Sequence, residues 1–202
     1  MKGRIAKILF IAAAAATAIG LTTTSAFADA VLTAVYPASG TTHIAATNSS
    51  LTLGPGTLTS TADLTTGTLT GSISLPPATG SFTELGLRVT VTAAFIQVGQ
   101  TTGTIDLNTG QVVATSRIIL KITDMKVAGL DVPVGPFCET AVPASITVTS
   151  DPSFLLLTGG PVSGTYTIPP FVNCLLETPV IDLVIPGPGN TIDLTLGTPT
   201  LS

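Results

Sequence analysis

Between Leu87 and Phe95 the chain alternates strictly: Leu87, Val89, Val91, Ala93 and Phe95 share one parity, and Arg88, Thr90, Thr92 and Ala94 the other. Successive side chains of a strand point to opposite faces, so this period of two predicts a half-buried strand whose outer face is threonine. Runs rich in Val, Ile, Leu and Thr, bounded by Gly and Pro, predict further strands over 57–64, 67–75, 111–127, 144–150, 162–168, 179–185 and 190–196, and extend this one to 87–98. No long window places apolar residues at helical spacing, which leaves almost no helix in the prediction.

One turn signal is written twice. Asp63-Leu-Thr-Thr-Gly67 and Asp106-Leu-Asn-Thr-Gly110 share the form D-L-x-T-G between strand-like runs, and their glycines suit the positive φ that closes a short hairpin with a bulge. Consecutive hairpins at short spacing imply an all-β fold, an antiparallel β-sandwich or flattened barrel in a single domain. Ser39–Ser50 reads as a polar loop. Leu53-Gly54-Pro55-Gly56 and Pro186-Gly187-Pro188-Gly189 read as corners where strands change sheet.

The first 28 residues follow a different plan. Lys2, Arg4 and Lys7 precede the uncharged run from Ile8 to Gly20, and Ala26-Phe27-Ala28 supplies a small-residue ending, the three parts of a secretory signal peptide. Cleavage after Ala28 leaves a β-domain over 29–202, secreted or held at the cell envelope. No cysteine lies near the cleavage site and GTPTLS carries no apolar tail, so the chain is not expected to be transmembrane once the signal is removed.

Cleavage also removes three of the seven Lys and Arg. Arg88, Arg117, Lys121 and Lys126 remain against eleven Asp and Glu, too few cations to neutralise a row of phosphates, which excludes nucleic acid as a partner. The same deficit argues against an electrostatic hold on anionic lipid heads. Aromatics are too few for the girdles of a pore-forming barrel.

In an oxidising compartment two cysteines tend to pair. Cys138 in Pro136-Phe137-Cys138-Glu139-Thr140 and Cys174 in Pro170-Phe171-Val172-Asn173-Cys174 sit in similar Pro-Phe-Cys surroundings, with no Lys, Arg or His within ten residues to activate a thiolate. They are expected to form a structural disulfide. The remaining chemistry is thin. His43 is the only histidine, no G-x-S-x-G is present, and D-L-x-T-G is not the D-T-G of aspartic proteases. Glu139 and Glu177 would be brought near one another by the disulfide, but paired carboxylates of glycoside hydrolysis usually work beside aromatic platforms, and the chain has no Trp. Asp106 and Asn108 lack the further ligands that calcium demands. T-x-T triplets, such as those at 57, 68, 90, 147 and 165, are spaced too irregularly for an ice-binding array built from a constant repeat. No catalytic residue, metal or cofactor is expected.

The segments VYPASGTTHI, LGPGTLTST, LPPATGSF, VPVGPFCET with PASITVTS, GTYTIPPF and IDLVIPGPGNTIDL resemble those of a group of secreted β-rich actinobacterial proteins of unknown function. The similarity runs over most of the mature chain. It implies export, a β-rich domain and a Gram-positive, mycolate-bearing envelope, and it supplies no site residues.

Two functional classes lead. The first is a non-catalytic envelope or extracellular β-domain with a structural or protein-interaction role and an unidentified envelope or protein partner. The second is a carrier of an apolar, lipid-like ligand held between sheets, lined by Val89, Val91, Phe95, Ile118, Leu120 and Ile122 with Val180 and Val184 opposite. The first is favoured, because small Thr, Ala and Val side chains let sheets approach closely and are expected to leave the core filled.

Overall fold

The computed structural model describes residues 30–201; the signal peptide expected over 1–28 lies outside them. The chain forms β1 (Val31–Ile44), β2 (Ser49–Asp63), β3 (Thr68–Ser74), β4 (Ala78–Glu84), β5 (Leu87–Gln97), β6 (Thr101–Ile105), β7 (Val112–Val127), β8 (Leu130–Asp131), β9 (Glu139–Thr140) and β10 (Ala144–Ser150). β11 (Gly160–Ile168), β12 (Phe171–Val172), a 3-10 turn over Leu175–Glu177, α1 (Thr178–Val184), β13 (Gly187–Leu196) and β14 (Thr200–Leu201) follow.

Eight of these strands close into an antiparallel barrel in the order β1-β2-β3-β6-β7-β10-β11-β13 and back to β1. The register can be followed around the ring through one outward row: Thr33, Thr61, Thr70, Thr102, Thr115, Thr147, Thr165 and Thr191, each opposite the next. Thr191 then faces His43 of β1, ten positions beyond the Thr33 where the row began. That stagger over eight strands fixes the tilt at about 40° and the backbone radius at about 8 Å, given the usual strand rise and spacing. The threonine triplets that are irregular in sequence are thus aligned by the barrel, on its outside, where they bond one another at Thr33–Thr61 (3.3 Å) and Thr115–Thr147 (2.8 Å).

Both D-L-x-T-G segments are hairpin turns. Asp63 Oδ1 accepts from the Thr65 and Thr66 amides and Asp106 Oδ1 from those of Asn108 and Thr109, while Gly67 and Gly110 take φ of 69° and 77° and donate back to the aspartate carbonyls.

β7 is the spine. Its first half, Val112–Thr115, pairs with β6 on one side and, over Val113–Ile118, with β10 on the other; its second half, Ile118–Val127, pairs with β5, which carries β4 at its edge. Gln97 marks the branch: its side chain accepts from the Ile73 amide (2.6 Å) and donates to the Gly71 carbonyl (3.2 Å), taking the place of a main-chain neighbour where β3 runs out of partners. Beyond Gln97, β4 faces Ser49–Gly56 of β2 with no ladder between them, and Gly80 packs on Leu51 so closely that a Cβ there would lie 2.8 Å from Leu51 Cγ.

Several expectations are corrected. Ser39–Ser50 is not a loop: its ends belong to β1 and β2, and Thr42 and Ser49 are buried with their hydroxyls bonded, to Thr191 O and to Thr47 Oγ1. β2 continues as one strand through Leu53–Gly56, with an irregular register opposite Ala38–Gly40. Residues 179–185 are not a strand. Pro179 lies in the first turn of α1, where its missing N–H costs nothing, and Asp182 Oδ1 accepts the Phe171 amide at 2.6 Å. Val180 and Val184 therefore stand on a helix rather than across the barrel from β5 and β7.

Candidate functional site

The inward residues of the ring are Leu, Ile, Val and Ala with a few hydroxyls. They do not fill the space within that radius. A chamber of about 110 Å³ remains, lined by residues that include Leu58, Leu69, Phe95, Val112, Ala114, Ile118, Leu120, Ile146, Val148, Val162 and Leu194. One end is plugged by the β10–β11 loop, whose Phe154 and Leu156 face the chamber and are tied down by Tyr36: its hydroxyl donates to Leu156 O at 2.7 Å, and its ring lies 6.4 Å from that of Phe154.

A second chamber of about 60 Å³ continues towards the other end, lined by Ile44, Leu51, Gly80, Phe82, Val91, Ile122, Ile168, Phe171 and Ile185 among others. Thr42, Phe95, Leu120 and Tyr166 line both. They form the constriction between the chambers.

The constriction holds a buried hydroxyl pair. Thr42 Oγ1 is 2.8 Å from Thr191 O and 2.6 Å from Tyr166 Oη. A carbonyl can only accept, so the single Thr42 proton is spent on Thr191 and Tyr166 is the donor in the second bond. Burial pushes the Tyr166 hydroxyl above its ordinary value, offset in part by the bond to Thr42, and burial raises Tyr36 likewise. Both phenols stay protonated at neutral pH. Among the described residues they are the only titratable side chains on the walls of either chamber. A second hydroxyl pair, Thr101–Ser116 at 2.7 Å, lines the larger chamber.

The far end is capped by the disulfide region. Cys138 and Cys174 are bonded, with Cα atoms 4.2 Å apart and both sulfurs wholly buried. The bond ties β9 to β12, which also pair through Thr140↔Phe171, and Thr140 Oγ1 accepts the Leu120 amide of β7 at 3.3 Å. α1 turns Ile181 inward and leaves Leu175, Leu176, Val180 and Leu183 exposed around it, beside the exposed Phe137.

The lining residues expected from sequence divide cleanly. Phe95 and Leu120 line both chambers, Ile118 the larger, and Val91 and Ile122 the smaller. Val89 is buried in the core opposite Phe82 and Val127. Val180 is exposed and Val184 half-buried on α1. Sequence reasoning missed Thr42, Tyr166 and Tyr36, although the last two are the only tyrosines in the chain and sit between outward residues in Val35-Tyr36-Pro37 and Thr165-Tyr166-Thr167. Glu139 lies in the β9 ladder opposite Val172 and Lys121, and Glu177 in the 3-10 turn after Cys174. His43 is on the outer wall, 3.4 Å from Ser50 Oγ. Among the described residues no three His, Cys, Asp or Glu side chains are grouped to hold a metal, and no helix is long and apolar enough to cross a membrane. No family model, no curated protein and no solved structure matches the chain.

Proposed function

We propose that this chain is an exported β-barrel that binds, without transforming it, a small apolar molecule in its interior. The observation that carries this reading is the unfilled larger chamber: a closed ring of strands encloses about 110 Å³ of space walled almost wholly by hydrocarbon. The volume sets the ligand class. Drug-sized ligands occupy roughly 300–1,000 Å³, whereas an apolar cavity of about 150 Å³ takes up benzene, so the chambers suit a ring-sized molecule and not a whole lipid. Export is supported by the disulfide, which suits an oxidising compartment, and by the leader plan of the first 28 residues.

Titration with toluene, followed by calorimetry and by the melting temperature, tests the reading. Saturable binding with a rise in melting temperature is expected, and Ala114→Leu, which fills the larger chamber, should abolish it. Wild-type protein that neither binds toluene nor gains stability at saturating toluene would overturn the proposal. The reading as an interaction module draws on the exposed apolar group at the cap, Phe137, Leu175, Leu176, Val180 and Leu183, a concentration of the sort found at docking sites. Leu176→Asp with Leu183→Asp should leave toluene binding intact and abolish capture of any envelope partner.

A further inference from the structure

We infer that the interior site selects a ligand bearing one hydrogen-bond donor on an otherwise apolar body, a small phenol or alcohol, and that Tyr166 Oη is the acceptor that receives it. The inference rests on the interior-binding reading above. The direction of the hydrogen bonds at the constriction carries it. Thr42 gives its proton to Thr191 O (2.8 Å) and takes that of Tyr166 (2.6 Å), so the phenolic oxygen has no proton left to offer and retains lone pairs. Tyr166 is 7% exposed and faces both chambers. A ligand without a donor leaves those lone pairs desolvated, whereas a hydroxyl placed there gains a bond in surroundings with little competing water.

Geometry fixes the orientation as well. The hydroxyl belongs at the constriction, between Tyr166 and Phe95, and the apolar body extends into the larger chamber towards Ala114 and Val148. At the constriction a ligand that only accepts hydrogen bonds finds no donor, because Thr42 holds the one proton Tyr166 has.

Phenol, toluene and benzaldehyde, three rings of similar size, test this in calorimetric competition. Wild-type protein should bind phenol roughly tenfold more tightly than toluene, the equivalent of one net hydrogen bond, and benzaldehyde no better than toluene. Tyr166→Phe should bring phenol to parity with toluene. Thr42→Val frees the Tyr166 proton and should let benzaldehyde overtake toluene while phenol keeps its advantage, since Tyr166 Oη still accepts; this readout separates recognition from a merely structural role and serves if Tyr166→Phe fails to fold. Toluene bound as tightly as phenol by wild type would overturn the donor rule while leaving the interior site standing. Failure of all three rings to bind would overturn both.

Discussion

Around most of the larger chamber the wall strands are joined to both neighbours by main-chain ladders, with the Gln97 side chain standing in at Gly71 and Ile73, whereas beyond Gln97 the barrel is closed on one side by Gly80 and Phe82 of β4 packing against β2. The first region carries its polar backbone groups within the ring. The second satisfies some of them through side chains, with Gln97 on Ile73 and Gly71, Thr140 on Leu120 and Asn190 on Ala45, Tyr166 and Gly187, and adds a covalent tie. Ladders hold one half together, while the other depends on packing and on the Cys138–Cys174 bond.

Removing the covalent tie should break the comparison most visibly. Cys138→Ala with Cys174→Ala frees the loop of 36 residues, worth about 4 kcal/mol by chain entropy, which lowers the melting temperature by about 8–16 °C at this chain length. Hydrogen exchange should quicken at β9, β12 and α1 and stay slow in β3, β6 and β10. Uniform loss of protection would show that the two halves form one cooperative unit. Gly80→Val drives a side chain into Leu51 and should cost about 1–3 kcal/mol by overpacking. The cost should shrink when Leu51→Ala is added, and equal costs in both backgrounds would mean that the seam is not closed by that contact. Gln97→Ala leaves Ile73 N and Gly71 O without their partner at the branch and should cost about 1–2 kcal/mol, with faster exchange at Ile73 as the local signature.

The smallest effect concerns the hairpins of the laddered half. Hydrogen bonds from Thr66, through side chain and amide, and from the Thr65 amide hold Asp63 below its ordinary 3.8. The Asn108 and Thr109 amides do the same for Asp106. A depressed carboxylate contributes its full stability above pH 3.8 and loses it as the pH falls through the lowered value. Asp63→Asn with Asp106→Asn keeps an acceptor in each turn and should flatten the acid limb of the melting curve. An unchanged limb would assign acid sensitivity elsewhere.

β5 was the strand most legible in the sequence, and the others divide without regard to the two regions. β2, β3, β7, β10, β11 and β13 lie within or overlap the alternating runs, and the two aspartate-glycine turns were legible because one residue type accepts the amides and the other takes the positive φ. β4 and β6 were not: Pro76-Pro77 and Gly80 disguise the first, and Thr101-Thr102-Gly103-Thr104 offers a single apolar partner, Ile105, to alternate with. β1 was not legible either, and its second half was hidden by Thr42, a hydroxyl that points inward because Thr191 and Tyr166 await it. The same inward polarity concealed the constriction. Apolar stretches such as 179–185 do not distinguish strand from helix, and here Pro179 and Asp182 decided for the helix. That the core stays partly empty follows from the ring's stagger, a property of the whole register that no single segment announces.

The pairing of β7 with β10 has a further consequence during folding. It joins strands separated by the chain from 128 to 143, and until it forms the molecule is an open sheet with two free edges rich in Thr, Val and Ile, in a chain with only 9% charged residues. Such edges template pairing with other copies. Closing the ring removes them, so the yield of folded barrel should fall steeply with protein concentration during refolding, while the finished molecule tolerates crowding that its half-built precursor does not.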